Sequence, residues 1–185
     1  FSGGTKVVRY FVLLNVLTNQ GLYKKTGDLS ENSINSTYRR FNFRSNVDLT
    51  LTENLSLTLT LGGSVEDKAN PAGNNTNSIF NNMASIAPNS FPVYTPTGTL
   101  CSNLLYSNPW GDLLQTGFYT SNGRNLQSTL MLTEKLDFLT DGLSISGRVS
   151  FNNNFTSLSN KSRQYLRLGM SKDALGNTVY TKIGQ

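Results

Sequence analysis

Three features of the sequence predict an all-β fold, a run of antiparallel strands from a transmembrane β-barrel with long extracellular loops. Apolar and polar residues alternate with a period of two over several long segments. That alternation persists for about twice the roughly 5–6 residues of a mean soluble strand. The connections between the segments also alternate, long then short, as in outer-membrane barrels with tight periplasmic turns and long outer loops. Composition agrees: 37% of residues are hydrophobic and only 15% charged, and Asn, Ser, Thr and Gly fill the gap. Such a balance suits strands with one apolar and one uncharged polar face. Mean hydropathy is −0.30, and no run nears the roughly 18 apolar residues of a spanning helix. Barrel strands need only about 9–11 residues of alternating character, so that absence leaves a barrel open.

The first strand is expected over 6–17, where Val8, Tyr10, Val12, Leu14 and Val16 form one stripe although the segment is apolar on both faces in places. A long connection, 18–37, follows. Strand 38–51 sets Phe41, Phe43, Val47, Leu49 and Leu51 on one face and Arg40, Asn42, Arg44, Asn46, Asp48 and Thr50 on the other, because successive strand side chains point oppositely. Thr52-Glu53-Asn54 forms a tight turn into strand 55–66, whose Leu55, Leu57, Leu59, Leu61 and Val65 oppose Ser56, Thr58, Thr60 and Ser64.

The longest loop, 67–122, holds one short amphipathic helix over 77–87, with Ile79, Phe80, Met83 and Ile86 at helical spacing and Pro88 as its stop. Beyond it, Pro92, Pro96, Gly98, Pro109 and Gly111 predict an irregular stretch. A second hairpin joins strands 124–137 and 143–155 through Leu139-Thr140-Asp141-Gly142, since glycine accepts positive φ without steric cost. A weaker last pair is expected over 163–170 and 178–183, turning at Leu175-Gly176-Asn177.

Periodicity alone does not separate a barrel wall from a sandwich, which buries its apolar faces against a second sheet. Strand length and loop alternation favour the barrel. Hydrocarbon offers a backbone no hydrogen-bond partner, so a spanning sheet must close on itself, and five to seven strands are too few. The chain opens at Phe1-Ser2-Gly3-Gly4-Thr5, without a charged start and apolar core. It is therefore expected to be one segment, 1–185, of a longer barrel.

Catalytic chemistry finds little support. The chain has no histidine, which removes the commonest general base and zinc ligand, and Cys101 is its single cysteine. Glu53, Asp137 and Asp141 fall at turns and Glu66-Asp67 at a strand end, so paired carboxylates for glycoside hydrolysis are not expected. No acidic cluster has calcium-loop spacing. The reading is a non-enzyme without metal or cofactor. Net charge is +5, and Tyr38 to Arg44 mixes arginine with aromatics as an RNA-binding strand can. Its clean division into two faces, without a wider basic stripe, speaks against nucleic acid. Arg40, Arg44 and Arg148 would instead line a lumen.

Specific stretches resemble the SusC/RagA group of TonB-dependent outer-membrane transporters of Bacteroidota-type bacteria. Ser2-Gly3-Gly4-Thr5-Lys6-Val7-Val8-Arg9-Tyr10-Phe11-Val12 is similar to the family's strand after its plug, and Asn19-Gln20-Gly21-Leu22 to the next loop. Tyr38 to Asp48 resembles its best-known barrel strand. Leu51 to Leu55 and Phe138 to Ser144 resemble two periplasmic turns, and Asn108-Pro109-Trp110 with Thr116-Gly117-Phe118 its long-loop pattern. The resemblance implies part of a 22-stranded plugged barrel in the outer membrane. It implies import of glycans or peptides, energised through TonB, with a SusD-like surface lipoprotein as lid. The signal, the TonB-contacting segment and the plug of that pattern are not in this sequence.

Aromatic rings in loops stack on sugars or peptides. Tyr94, Tyr106, Trp110 and Tyr119, all assigned to the long loop, are thus the candidate substrate or lid contacts, against the plainer reading that they pack the loop's own core. The competing assignment is a secreted β-sandwich adhesin or carbohydrate-binding module, with a carbohydrate-active enzyme a distant third.

Overall fold

A computed structural model describes residues 1–23 and 35–183. Most of the first long connection, expected over 18–37, lies outside the described residues. The fold is mostly antiparallel β. Its strands are β1 (Ser2–Gly4), β2 (Val8–Gln20), β3 (Thr37–Thr50), β4 (Leu55–Pro71), β5 (Cys101–Ser102), β6 (Gly117–Lys135), β7 (Ser144–Ser162), β8 (Arg167–Lys172) and β9 (Thr178–Ile183). Two helices, α1 (Thr76–Ser85) and α2 (Pro109–Gln115), lie between β4 and β6.

The strands form two sheets, one ordered β1-β2-β3-β4-β6-β7 and a small one ordered β5-β8-β9. The last two strands therefore do not extend the main sheet, as the sequence led one to expect. β8 pairs in parallel with β5, Cys101 opposite Leu168, and antiparallel with β9. Among the described residues the main sheet is open, with no closure of β7 onto β1.

The chain divides into two compact units. A sheet unit comprises Phe1–Asn19, Tyr38–Asp67 and Ser121–Ser157; a loop unit comprises Gln20–Thr37, Lys68–Thr120 and Leu158–Gln185.

In the sheet unit, cross-strand side-chain bonds establish which residues share a face, because only side chains on the same side of neighbouring strands can meet. Asn42 Nδ2 donates to Asn15 Oδ1 (3.2 Å), Thr58 Oγ1 to Asp48 Oδ1 (2.9 Å), and Arg40 pairs with Glu66 (3.1 Å). Thr129 bonds Ser150 (3.1 Å) and Thr133 bonds Ser146 (3.0 Å). On the other face Arg124 reaches across from β6 to Asp67 of β4 (3.0 Å). The polar halves of β3, β4, β6 and β7 thus lie on one side of a continuous sheet and the apolar halves on the other. β2 is the exception, since Phe11, Leu13 and Leu17 alternate with its stripe and share the side of Asn15.

Much of the apolar side is open: Phe41, Val65, Leu126, Leu130 and Leu132 are exposed and Val149 of β7 is 71% exposed, while Phe43, Val47, Leu49, Leu57, Leu59 and Leu61 are half-buried. The buried hydrophobic residues are Ala72, Ile79, Leu100, Cys101 and Leu113, and every one belongs to the loop unit. A sandwich would bury its apolar faces at the level of a protein interior; this sheet buries none. The Arg124–Asp67 pair bounds the apolar band just past Val65 and Leu126, and Glu134 bounds it near the opposite strand ends. Among the described residues no helix is long and apolar enough to cross a membrane, which says nothing about a β-barrel.

Both short turns form where the sequence placed them. Thr52 Oγ1 accepts from the amides of Asn54 (3.3 Å) and Leu55 (3.0 Å). In the other, Asp137 Oδ1 accepts from the Gly142 amide at 3.0 Å, with Gly142 at φ 79. Lys135 N donates to Asn54 O (2.9 Å), so the two turns are neighbours at one end of the sheet.

Candidate functional site

The loop unit is organised around Asn108, which is 1% exposed. Its side chain uses its full bonding capacity. Nδ2 donates to Val93 O (2.8 Å) and Cys101 O (2.7 Å), while Oδ1 accepts from the amides of Trp110 (3.0 Å) and Gly111 (3.3 Å). The second pair caps α2, whose first turn has Pro109 where a missing N–H costs nothing. One residue therefore ties the 93–101 turn to the start of the helix.

Asp112 on α2 collects the next layer. Its carboxylate accepts from Tyr165 Oη (2.8 Å), from Ser107 Oγ and from Asn82 Nδ2 (3.4 Å), the last joining α1 to α2. Tyr165 Oη also lies 3.0 Å from Asn108 O. The ring fits because residue 111 is glycine: a Cβ there would stand 2.5 Å from a ring carbon of Tyr165. Burial, then the hydrogen bond and the negative charge of Asp112, push the Tyr165 hydroxyl well above the usual tyrosine value. A raised folded pKa stabilises the protonated form, so its contribution is complete below the unfolded value of about 10 and lost as pH rises through the folded one. Accordingly the emission of Trp110, the chain's single tryptophan, is expected to shift as this layer opens in strong alkali. Tyr165→Phe, costing about 1–2 kcal/mol at neutral pH, should remove much of that alkaline dependence. An unchanged alkaline transition in the variant would assign it to other groups.

Among the concavities around this scaffold, two differ in character. The larger of the two, about 620 Å³, is lined by Ala72 and Ile79 and by amides and hydroxyls, among them Asn75, Ser78, Asn82, Asn160, Ser162 and Gln164, with Asp112 and Arg163 at its wall. Asp112 is committed to its three donors, and Arg163 Nε donates to Gln115 O (2.7 Å). Its neutral donors and acceptors, set among apolar atoms, suit a polyhydroxylated or amide-rich ligand. The smaller, about 310 Å³, is apolar and lined by Met83, Ile86, Phe91, Leu113 and the Trp110 ring. Of the expected helical stripe, Ile79 alone is buried in α1; Phe80 and Met83 are exposed and Ile86 lies beyond the helix as its C-cap.

The four aromatic candidates separate. Trp110 Nε1 donates to Tyr94 Oη (2.7 Å), so these two rings meet, with Tyr94 49% exposed. Tyr106 sits in a turn where Asn103 Oδ1 accepts from its amide (2.7 Å). Tyr119 is not a loop residue: it lies in β6, which begins at Gly117 because the strand extends past its alternating part. Arg40, Arg44 and Arg148 share the polar side of the sheet unit, where Arg40 pairs with Glu66 and Arg148 Nη2 lies 3.5 Å from Met131 Sδ. Sequence reasoning missed Asn108, Asp112 and Tyr165, although the Asn-Pro start of α2 is a readable capping signal.

Among the described residues no group of acidic, cysteine or histidine side chains is arranged to hold a metal ion. Cys101 is fully buried, which raises its thiol pKa. The chain matches no protein-family model, and no curated protein matches it.

Proposed function

We propose that this chain forms part of the wall and outer loops of an outer-membrane importer of the TonB-dependent kind its sequence resembles. In this reading the apolar side of the sheet meets lipid and the polar side meets a water-filled, plugged interior. The loop unit's amide- and hydroxyl-bearing cavity and the Tyr94–Trp110 pair then contact an oligosaccharide or peptide, or the SusD-like lipoprotein. Energy reaches the complex through TonB, and the chain performs no catalysis itself.

The observation that carries the reading is the uncovered apolar side, exposed on β2, β3, β6 and β7 while the polar side is knitted by cross-strand hydrogen bonds. Water rarely meets so extended an apolar surface on a monomer. The open order of the main sheet also agrees with closure by further strands.

Density-gradient separation of cell envelopes containing the full gene product tests it. The product is expected to sediment with outer membranes and to migrate faster on unboiled than on boiled gels, as closed barrels do. Recovery as a soluble, cooperatively melting monomer would transfer the chain to a secreted binding module.

A further inference from the structure

Within the sheet unit, the polar side carries Arg9, Arg40, Arg44, Lys135 and Arg148 against only Asp48 and Glu66. Both carboxylates are engaged: Glu66 pairs with Arg40 (3.1 Å) and Asp48 accepts from Thr58 (2.9 Å). Those two contacts also fix what stands beside Arg44. Midway between them along the same hairpin, Arg44 faces Gly62, where an added Cβ would meet nothing nearer than a backbone oxygen at 3.9 Å. Asn42 and Asn46 are its same-side neighbours on β3. An exposed guanidinium thus stands over bare sheet, between the neutral amides of β3 and with Leu13 opposite it on β2, and no acid of β2, β3 or β4 beside it. Arg148, also exposed, has a thioether as its side-chain contact.

From this arrangement we infer that the polar side of the sheet is a cationic track selecting an anionic ligand, an oligosaccharide bearing carboxylate or sulfate groups. The inference rests on the importer reading and narrows its substrate class. Cations of one sign facing water between low-dielectric walls focus potential and concentrate anions, and arginine or lysine lining favours anions in pores generally. Guanidinium groups also match the planar carboxylate and the sulfate oxygens with paired donors. Lumen-side substitutions tune selectivity with little effect on stability.

The test is calorimetric titration of the full gene product in detergent micelles with tetragalacturonate, a sulfated tetrasaccharide and neutral maltotetraose at about 0.15 M salt. At least one anionic sugar is expected to bind about 10-fold more tightly than maltotetraose. The double variant Arg44→Gln/Arg148→Gln should bring the two within about 2–3-fold, in line with about 1 kcal/mol at most per exposed charge contact. Equal affinities in the unchanged protein, no binding of either anion, or a preference that survives the double variant would each overturn the inference. Labelling of Ser150→Cys by a charged thiol reagent in outer-membrane vesicles separates the two levels. With labelling but no anion preference, only the charge selection falls; without labelling, the water-filled interior falls too.

Discussion

On the proposed importer reading, Leu130→Arg should destabilise the protein in lipid by about 2–4 kcal/mol, whereas Thr129→Arg, one residue away, should change stability by about 0.5 kcal/mol or less. Leu130 lies in the middle of the β6 apolar band and is 42% exposed, so an arginine there has an open path off the sheet. In the proposed reading the penalty comes from hydrocarbon, which cannot solvate the guanidinium. Thr129 lies on the opposite side, bonded to Ser150, where water accommodates a charge. Urea titration of the protein in lipid vesicles reads the contrast. Two small and similar effects would mean that the leucine face meets water. Two large effects would mean that both faces are packed against protein.

Asn108→Ala is expected to be the most damaging substitution in the loop unit, about 2–4 kcal/mol. Removing an N-cap costs about 1 kcal/mol. Here the same change also strips a donor from two carbonyls: Val93 O keeps the Cys101 amide (3.0 Å), whereas Cys101 O, fully buried, loses its donor at about 1–3 kcal/mol. Because Trp110 lies in the first turn of α2, two residues from Asn108, and is the only tryptophan, its fluorescence in a urea titration reports the loss directly. Asn108→Asp should retain the cap but lose both donations, falling between wild type and alanine. A shift below about 1 kcal/mol for alanine would show that the 93–101 turn is held by other contacts.

The long strands were legible because a single local rule governs them. Where one side faces an apolar medium, a period of two is imposed residue by residue. Hence β3 and the start of β4 lie within a residue of their expected limits. Where that medium ends, the rule lapses. β4 runs on from Glu66 to Pro71 and β6 begins at Gly117 rather than 124, because backbone pairing with neighbours continues although neither side needs to be apolar. Residues 117–123 therefore read as loop. The terminal pair was located but joined to the wrong sheet, since strand character is local and choice of partner is not: β8 pairs with β5, whose two residues carry no pattern of their own. The candidate site was least legible. Tyr165 meets Asn108 across 57 residues, and no spacing rule links them. Composition and aromatic content pointed to the loop, but the bonding that shapes it belongs to the folded chain.

Nitroxide accessibility along Leu126 to Thr133 of β6 tests the central claim most directly, with single cysteines introduced into the protein in lipid vesicles; Cys101, fully buried, offers no competing thiol. Labels at Leu126, Leu130 and Leu132 are expected to collide preferentially with dissolved oxygen, and labels at Gln127, Thr129 and Thr133 with a water-soluble nickel chelate. The two profiles should alternate out of phase with a period of two. Chelate access at the leucine positions, or protection of those positions from both reagents, would contradict a lipid-facing wall.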